Sequence, residues 1–593
     1  MLLKRFFISM LGSLAAIWIS AMLIIVLCMM FAISSIVSFS KTETTKIHHH
    51  SILCLDLNGP IDETVEMPTF MQIVNGEMNS TSTLSSIVDA IAAAKTDSKI
   101  EGLYIKANGA VAGMATRQAI RQAVESFRES GKWVVAYGNS YSQGDYYIAT
   151  AADEVFLNPV GEIGLEGLAT GIPFFKGLLD KLGVEMQVVK VGTFKSAVEP
   201  FLLDHMSEAN RLQTSVYLDG LWRQYTEAVA KSRGISVEQL NQMADSLATV
   251  AEAVKMVDLK LVDGLKYTDE ITDYLKDKTG REHKDDLRLI GVSQYLSTDV
   301  EIPHREKAKK KIAVYYAAGD ITTSDREGIA SDRVVPDILD LADDDDIKAM
   351  VLRVNSGGGS AFASEQIWHA LEVFKSKGKK LYVSMGDYAA SGGYYISCGA
   401  DKIYAQPTTL TGSIGIFGMI PCFNGLLTNH LGVNIDFVTT NANGAQPNSF
   451  EPMSPFVRQK MQSTVNQGYE LFTSRCAEGR HMTQDSIKAI AEGRVWDGTS
   501  ALRIGLVDKL GSLDDAIADL AAEMGYSKYQ VVDYPSREAN FMEILSSIAG
   551  YSDYARVRAL REELGQAYPL YQDIRRLQTL DPIQARMERT VIF

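Results

Sequence analysis

The feature of this sequence that most constrains its fold is an internal duplication. Residues 138–156 (GNSYSQGDYYIATAADEVF) and 386–404 (GDYAASGGYYISCGADKIY) align at a constant offset of 248, and seven of the nineteen positions are identical. Two further pairs of segments match in the same order, 99–120 with 346–367 and 172–184 with 420–433. Self-similarity of this length indicates that one structural unit occurs twice in the chain.

Each half alternates short apolar, β-prone runs with segments of helical pattern. In the second half the predicted strands are 312–317, 349–354 and 380–385, and the predicted helices are 363–376 and 391–399. This alternation is typical of an α/β fold whose strands are mostly parallel and joined by right-handed crossovers. A chain of 593 residues is also too long for a single ordinary core, which agrees with two units.

The N-terminus carries a long uncharged segment. Residues 6–40 contain no charged side chain, and Lys4 and Arg5 precede them. A helix needs about 20 apolar residues to cross a bilayer, whereas the apolar part of a cleaved signal peptide is about 7–15 residues long. A cleaved signal peptide is the alternative, but no A-x-A cleavage site ends the run. We therefore predict a transmembrane signal anchor with a short cytoplasmic tip.

The remaining boundaries follow from composition. Residues 300–311 (VEIPHREKAKKK) are polar and basic, which indicates a solvated linker between the two units. The chain after residue 536 is charged and has apolar residues at helical spacing, which predicts a surface helix. The predicted divisions are an anchor (1–46), an N-terminal unit (47–299), a linker (300–311), a C-terminal unit (312–535) and a helical tail (536–593).

Charge and metal-binding residue types exclude several classes of function. The net charge of −15 disfavours a nucleic-acid surface, because binding phosphates requires a basic face. The five cysteines have no C-x-x-C spacing, so neither a zinc site nor a disulfide framework is expected. None of the nine histidines lies in a recognisable catalytic triad pattern. We expect no metal and no cofactor.

Two glycine-rich turns in the second half could support chemistry. The first, 355–360 (NSGGGS), follows a predicted strand, and its N–H groups could bind an oxyanion; it lacks the lysine of a phosphate-binding loop. In the second, Ser391 follows a strand and precedes Gly392 and Gly393, as in a nucleophile elbow. A helix N-cap serine is the structural alternative. We predict the N–H groups of Gly358 and Gly392 as oxyanion donors.

Three motifs together, VNSGGGSAFASE, GDYAASGGYYISCGADKIYA and LTGSIGIFG, resemble the signal peptide peptidase A (protease IV) family of Ser–Lys proteases in its long, duplicated form. The resemblance covers about residues 52–532. It implies that Ser391 is the nucleophile and that Lys195, within VGTFKSAVEPF, is the general base. It also implies that Ser413 of the TGSIG motif hydrogen-bonds the lysine. The family usually has a proline where this sequence has Gly357.

The duplication offers an independent argument for this site. In the alignment Ser391 lies opposite Gln143, the glycine triplet opposite residues 110–112, and Ser413 opposite Glu162. Lys195 lies opposite residues 441–444, which contain no lysine. Each half has therefore kept what the other has lost, which predicts one site shared between the halves.

The resemblance implies a membrane-anchored endopeptidase that degrades signal peptides left in the membrane after preprotein cleavage. It further implies a Clp-protease/crotonase-like fold in each half, a ring-like homo-oligomer (a homotetramer), and a bacterial inner-membrane location with the catalytic units on the periplasmic side. A fold of this type also occurs in acyl-CoA enzymes. A crotonase-like acyl-CoA enzyme and a catalytically inactive membrane scaffold therefore remain as alternatives.

Overall fold

The computed structural model describes residues 47–64, 83–324, 328–535 and 583–587, together with positions 18, 20 and 22. Most of the predicted anchor and most of the predicted tail lie outside these ranges. Every helix within the described ranges is too short or too polar to cross a bilayer.

The N-terminal unit is built on a six-stranded parallel sheet of order β6-β4-β3-β2-β1-β7. Its strands are β1 Ser51–Pro60, β2 Ile100–Val111, β3 Trp133–Gly138, β4 Glu154–Leu157, β5 Glu185–Lys190, β6 Gly264–Leu265 and β7 Leu289–Gly291. Its helices are α1 Leu84–Thr96, α2 Met114–Arg128, α3 Gln143–Ala149, α4 Lys176–Leu182, α5 Glu199–Leu202, α6 Glu208–Arg233, α7 Val237–Asp245, α8 Val254–Asp258, α9 Thr268–Lys278 and α10 Val292–Leu296.

The C-terminal unit repeats this plan in a sheet of order β17-β15-β13-β11-β8-β19, from which β14 and β18 branch. Its strands are β8 Lys311–Ala318, β9 Ile321–Thr322, β10 Ile329–Ala330, β11 Ile347–Ser356, β12 Gly358–Ser360, β13 Lys380–Ala390, β14 Lys402–Ala405, β15 Leu410–Gly412, β16 Phe417–Cys422, β17 Val495–Asp497, β18 Lys509–Leu510, β19 Gln530–Tyr534 and β20 Ile583–Arg586. Its helices are α11 Ser331–Asp343, α12 Ala361–Ser376, α13 Gly392–Ser397, α14 Pro455–Arg480, α15 Gln484–Ile490, α16 Gly498–Arg503 and α17 Leu513–Glu523.

The prediction of two tandem α/β units with mostly parallel strands is confirmed; in the C-terminal sheet β15 and β17 pair antiparallel. The predicted strands 312–317, 349–354 and 380–385 lie within β8, β11 and β13, which pair in parallel. Helices cover both faces of each sheet, so the central strands are buried on both sides and contain nearly continuous apolar runs. The third sheet, of order β10-β9-β12-β20-β16-β5, contains strands from both units and joins them.

Two segments differ from the sequence-based expectations. Residues 583–586 of the predicted helical tail form strand β20, because their backbone pairs with the free edges of β12 and β16. The linker is more than a solvated connector. Arg305 forms ion pairs with Asp89 of the N-terminal unit (3.2 Å) and Asp533 of the C-terminal unit (2.8 Å), and His304 stacks on Tyr529.

A buried ion pair also connects the units. Arg353 on β11 donates two hydrogen bonds to the carboxylate of Glu63, both at 3.0 Å, and the two side chains are each 4% exposed. The remaining Arg353 donors bind Ser384 and the carbonyl of Met385. Every charge of the pair is therefore compensated inside the interface.

We expect Glu63→Ala to lower the free energy of unfolding by about 3–5 kcal/mol, because the guanidinium of Arg353 would stay buried without its partner. Urea unfolding of the purified protein measures this loss. The control is Asp343→Ala, which removes an exposed pair with Lys377 and should leave the unfolding midpoint nearly unchanged. Equal midpoints for the two variants would contradict the prediction.

Candidate active site

Ser391 lies in a strained turn between β13 and α13. Its backbone has φ 56° and ψ −112°, a region that non-glycine residues rarely adopt. Its N–H donates to the carbonyl of Gly412 at 2.7 Å, which holds the turn against β15. Conformations of this kind cost about 1–3 kcal/mol and persist where the surrounding structure enforces them, often at functional sites. The turn points the Ser391 hydroxyl away from the strand and into the interior.

Lys195 reaches this hydroxyl from the other copy of the repeat, within the same chain. It lies between β5 and a short 3₁₀ helix, Ser196–Val198. Its Nζ is 2.8 Å from Ser391 Oγ, and the residue is 1% exposed. Burial removes water from the ammonium group and lowers the pKa of Lys195 well below the ordinary lysine value of 10.5. The structure thus combines a buried lysine whose neutral form is favoured with a serine hydroxyl at hydrogen-bond distance.

Ser413 occupies the other side of the lysine. Nζ of Lys195 donates to the carbonyl oxygen of Ser413 at 3.0 Å and to its Oγ at 3.1 Å. The backbone of Ser413 has φ 49°, and its N–H donates to the carbonyl of Arg494 at 2.7 Å. A neutral amine has two N–H groups and one lone pair. Because Ser413 supplies two acceptors, the lone pair is left to face Ser391 Oγ.

The glycine loop lies beside the serine turn. Gly358 has φ +98°, and its N–H donates to Ser356 Oγ at 3.1 Å. A Cβ on Gly358 would lie 2.7 Å from the backbone nitrogen of Gly392, so these two backbones are packed too closely for any side chain at position 358. The structure therefore brings together all five residues singled out from the sequence: Ser391, Lys195, Ser413, Gly358 and Gly392.

Gln213 on α6 supports the lysine segment but has no signature in the sequence. Its Nε2 donates to the carbonyl of Phe194 and to Ser196 Oγ, both at 3.1 Å. Its Oε1 accepts from the N–H of Val495 at 3.1 Å. One buried amide therefore links the carbonyl of Phe194 and the hydroxyl of Ser196, on either side of Lys195, to strand β17 of the other unit. A glutamine within a long polar helix gave no indication of this role.

Gly493 packs against the backbone of the lysine. It has φ +78°, and a Cβ at this position would lie 2.7 Å from the backbone N and Cα of Lys195. Neither atom can move independently of the chain. Gly493 therefore fixes how closely the lysine segment approaches β17. A glycine between two charged residues (EGR) indicates a turn in the sequence but not this contact.

We expect Gly493→Ala to lower kcat/KM by about 10²-fold, because the added methyl group must displace Lys195 by a fraction of an ångström or more. Gly505→Ala is the matched control. It has nearly the same φ (+82°), but its Cβ would meet only Met482 Sδ, at 3.6 Å. Peptide hydrolysis by both variants, normalised to folded protein, checks the prediction. Equally lowered activities in the two variants would show that backbone strain at a positive-φ position, rather than displacement of Lys195, causes the loss.

The equivalent site in the N-terminal copy is filled by a carboxylate. Asp145, which aligns with Gly393, accepts hydrogen bonds from the N–H groups of Gly109 (3.1 Å) and Ala110 (3.3 Å). Arg117 lies 3.8 Å away and partly balances the charge. Desolvation by burial raises the pKa of Asp145. The N–H groups that correspond to those of Ser356 and Gly357 are thus already occupied in this copy.

Comparison with known proteins places these observations in a family. The model of peptidase family S49 matches residues 126–281, which contain Lys195, and residues 373–527, which contain Ser391. Protease 4 of Salmonella typhi is 39% identical over 494 residues, covering 82% of this chain and 78% of that protein. The chain belongs to peptidase family S49.

Two further relatives and a second family model extend this assignment. Protease 4 of Haemophilus influenzae is 36% identical over 501 residues, covering 82% of this chain and 81% of that protein. The putative signal peptide peptidase SppA of Enterococcus faecium is 32% identical over 274 residues, 44% of this chain and 78% of that protein. The Clp protease model matches residues 307–411. This S49 protein is a serine protease with Clp-protease-like units in tandem, and the resemblance to protease IV is confirmed.

Proposed function

We propose that this S49 protein is a membrane-anchored endopeptidase that degrades cleaved signal peptides, with Ser391 as nucleophile and Lys195 as general base. The observation that carries the proposal is the 2.8 Å separation of Nζ and Oγ between two side chains that are each at most 1% exposed. A serine hydroxyl becomes an effective nucleophile only when a neighbouring base takes its proton. A buried lysine with a lowered pKa is such a base near neutral pH.

The reaction proceeds through an acyl-enzyme. Ser391 Oγ attacks the scissile carbonyl carbon while its proton moves to Nζ of Lys195, and the lysine then gives this proton to the leaving amine. The N–H groups of Gly358 and Gly392 stabilise the negative oxygen, and Gly358 exchanges its bond with Ser356 Oγ for one with that oxygen. Water then attacks the ester, again losing its proton to Lys195. Ser413 orients the amine throughout.

The sequence and one relative's name support the proposed substrate class and location. The apolar segment within residues 6–40 anchors the protein in the bacterial inner membrane, with the catalytic units on the periplasmic side. Signal peptides remain in this membrane after preprotein cleavage, and the Enterococcus faecium relative is named as a putative signal peptide peptidase. As the resemblance implies, the protein assembles as a homotetramer.

Full-length protein in detergent should cut a synthetic signal peptide at internal bonds within its apolar region, which mass spectrometry of the products identifies. A peptide of equal length made mainly of charged residues is the matched control and should stay intact. Cleavage of neither peptide would refute the proposed substrate class. Turnover of an acyl-CoA by Ser391→Ala would instead support a crotonase-like enzyme. Light scattering of the detergent-solubilised protein tests the tetramer.

A further inference from the structure

A cavity of about 500 Å³ lies where the two units meet. Helices α1 and α2 of the N-terminal unit form one wall, and strand β8 and the first turn of α17 from the C-terminal unit form the other. The wall is mostly apolar, and six of its residues are only half-buried: Val88, Ala92, Ala119, Ala123, Tyr316 and Leu513. The surfaces of the two units therefore do not close on one another here, and the space is of the size that binds small organic ligands.

The three cations on the wall of this interunit cavity already have anionic partners. The pairs are Arg305 with Asp89 and Asp533, Arg353 with Glu63, and Lys95 with Glu129. Each positive charge is thus compensated by the protein itself. An anionic ligand would find no free cation in the cavity.

One carboxylate on the wall has no such partner. Asp514 lies in the first turn of α17, and among the described residues its carboxylate accepts no hydrogen bond and forms no ion pair. Its neighbour Asp515 is used by the helix cap, where it accepts from the N–H of Ser512 at 2.7 Å and from its Oγ at 2.8 Å.

The surroundings of Asp514 favour a cation. Desolvation by the surrounding protein raises the pKa of Asp514, and the charge of Asp515 raises it further, whereas Arg305 and Arg353 lower it in part. A desolvated carboxylate without a partner is unfavourable, and a positive group placed against it removes that cost. The cavity therefore combines an apolar body with one point of uncompensated negative charge.

We propose that the interunit cavity binds an aliphatic primary amine, with the alkyl chain against the apolar wall and the ammonium group paired with Asp514. An apolar wall offers water few hydrogen bonds, so an alkyl chain that displaces this water gains free energy. The ammonium group supplies the charge that Asp514 lacks. A carboxylate head group would be repelled by Asp514 and Asp515, and an alcohol would leave the charge of Asp514 uncompensated.

The site extends the protein beyond its protease chemistry. Neither Ser391 nor Lys195 lines the cavity, so amine binding does not depend on the proposed mechanism. Because the wall comes from both units, the ligand contacts the two copies of the repeat at once. Binding should therefore stabilise the joined units against unfolding.

Isothermal titration calorimetry of the full-length protein in detergent at neutral pH tests the choice of head group. Hexylamine, which is protonated at this pH as lysine is, should bind at least about tenfold more tightly than hexan-1-ol, because an ion pair replaces a neutral contact. Hexanoate, which has a chain of the same length, should not bind. Ethylamine carries the same charge on a short chain and should not bind either.

Each of these controls can overturn the proposal. Hexanoate that binds as tightly as hexylamine would show that the charge of Asp514 does not select the ligand. Ethylamine that binds as tightly as hexylamine would show only a general attraction to a chain of net charge −15.

Two substitutions locate the ligand. Asp514→Asn keeps the shape of the wall and removes its charge, so it should weaken hexylamine about tenfold or more and leave hexan-1-ol unchanged. Ala123→Leu fills the cavity and should weaken both ligands. Asp485→Asn is the matched control, because Asp485 is an exposed aspartate in the first turn of α15, away from the cavity wall. Equal hexylamine affinities in Asp514→Asn, Asp485→Asn and wild type would rule out the site.

Thermal unfolding provides a second readout. Hexylamine should raise the melting temperature of wild type at concentrations that leave Asp514→Asn unshifted, and melting curves without ligand show that each variant folds. No shift in wild type would contradict the inference. Ser391→Ala should bind hexylamine as tightly as wild type does. Since none of these measurements uses peptide hydrolysis, their failure would leave the proposed function intact, and failure of the proposed function would leave the amine site intact.

Discussion

Ser391→Ala is expected to lower kcat/KM for peptide hydrolysis by about 10⁴-fold or more, because no acyl-enzyme can form without the hydroxyl. The loss should appear in kcat, since removing one hydroxyl leaves the backbone around it, which would bind the peptide, unchanged. A fluorogenic peptide under single-turnover conditions measures the chemical step directly. A serine-directed probe should label the wild type and not the variant.

The matched control is Ser397→Ala. Ser397 is equally buried, lies on the same helix α13, and donates its hydroxyl to the carbonyl of Gly393 at 2.6 Å. Its loss removes a buried hydrogen bond and costs about 1–3 kcal/mol of stability, but activity per folded molecule should persist. Similar activities in Ser391→Ala and Ser397→Ala would remove Ser391 from the mechanism.

Lys195→Met should reduce activity by about 10³-fold or more while making the folded protein more stable at neutral pH. The activity falls because no base remains near Ser391 Oγ. The stability rises because burial lowers the folded-state pKa of Lys195 well below that of the unfolded chain, so the unfolded state binds the extra proton. Stability from this group is therefore present above the unfolded pKa and is lost as pH falls towards the folded pKa.

Because the folded-state pKa of Lys195 is lowered, the pH dependence of activity and of stability tests the role of this lysine directly. Wild-type kcat/KM should rise with pH through the lowered pKa of Lys195 as the amine loses its proton. Lys195→Arg should be inactive at every pH, because a guanidinium stays protonated. The difference in melting temperature between Lys195→Met and wild type should shrink as pH is raised towards 10.5. A melting-temperature difference that grows with pH would contradict a depressed lysine pKa.

Lys379→Met is the control for burying a methionine. Lys379 is 6% exposed, and its ammonium donates to the carbonyls of Leu341 and Asp344, both at 2.6 Å. It precedes β13, and Ser391 follows the other end of that strand. This substitution leaves two buried carbonyls without their donor, just as Lys195→Met leaves the two Ser413 oxygens without theirs. Burial lowers the pKa of both lysines, but that of Lys195 further, so only Lys195→Met should gain more stability from losing the charge than it loses in hydrogen bonds. Lys379→Met should therefore lower stability, with activity retained. Lower stability in both methionine variants would show that removing the buried amine of Lys195 does not stabilise the folded protein.

The sequence predicted the repeated α/β plan well because that plan depends on local pattern. The alternation of apolar runs such as 349–354 with amphipathic helices predicts parallel strands, even when the neighbouring strand of each one is not known. The site was predicted less directly. Ser391 lay in a glycine-rich turn typical of a nucleophile. Lys195 was selected through the family resemblance and because the aligned segment of the second copy contains no lysine.

What the sequence could not provide depends on contacts between distant segments. Strand β20 owes its conformation to the edges of β12 and β16 rather than to its own spacing of apolar residues. The role of Gln213 depends on where α6 crosses the lysine segment, and that of Gly493 depends on a backbone approach of 2.7 Å. None of these features has a local signature that a single sequence can display.

The location of the two reacting groups on different copies has a consequence for the timing of activity during synthesis. Lys195 and Ser391 are 196 positions apart, and the lysine is translated first. In the proposed mechanism the N-terminal unit, in which Asp145 accepts from the N–H groups of Gly109 and Ala110, leaves the ribosome with a base and without a nucleophile. Under the proposed mechanism, a nascent or truncated chain that lacks the second unit cannot hydrolyse a peptide. The order of the halves then delays proteolysis until the second unit has been synthesised.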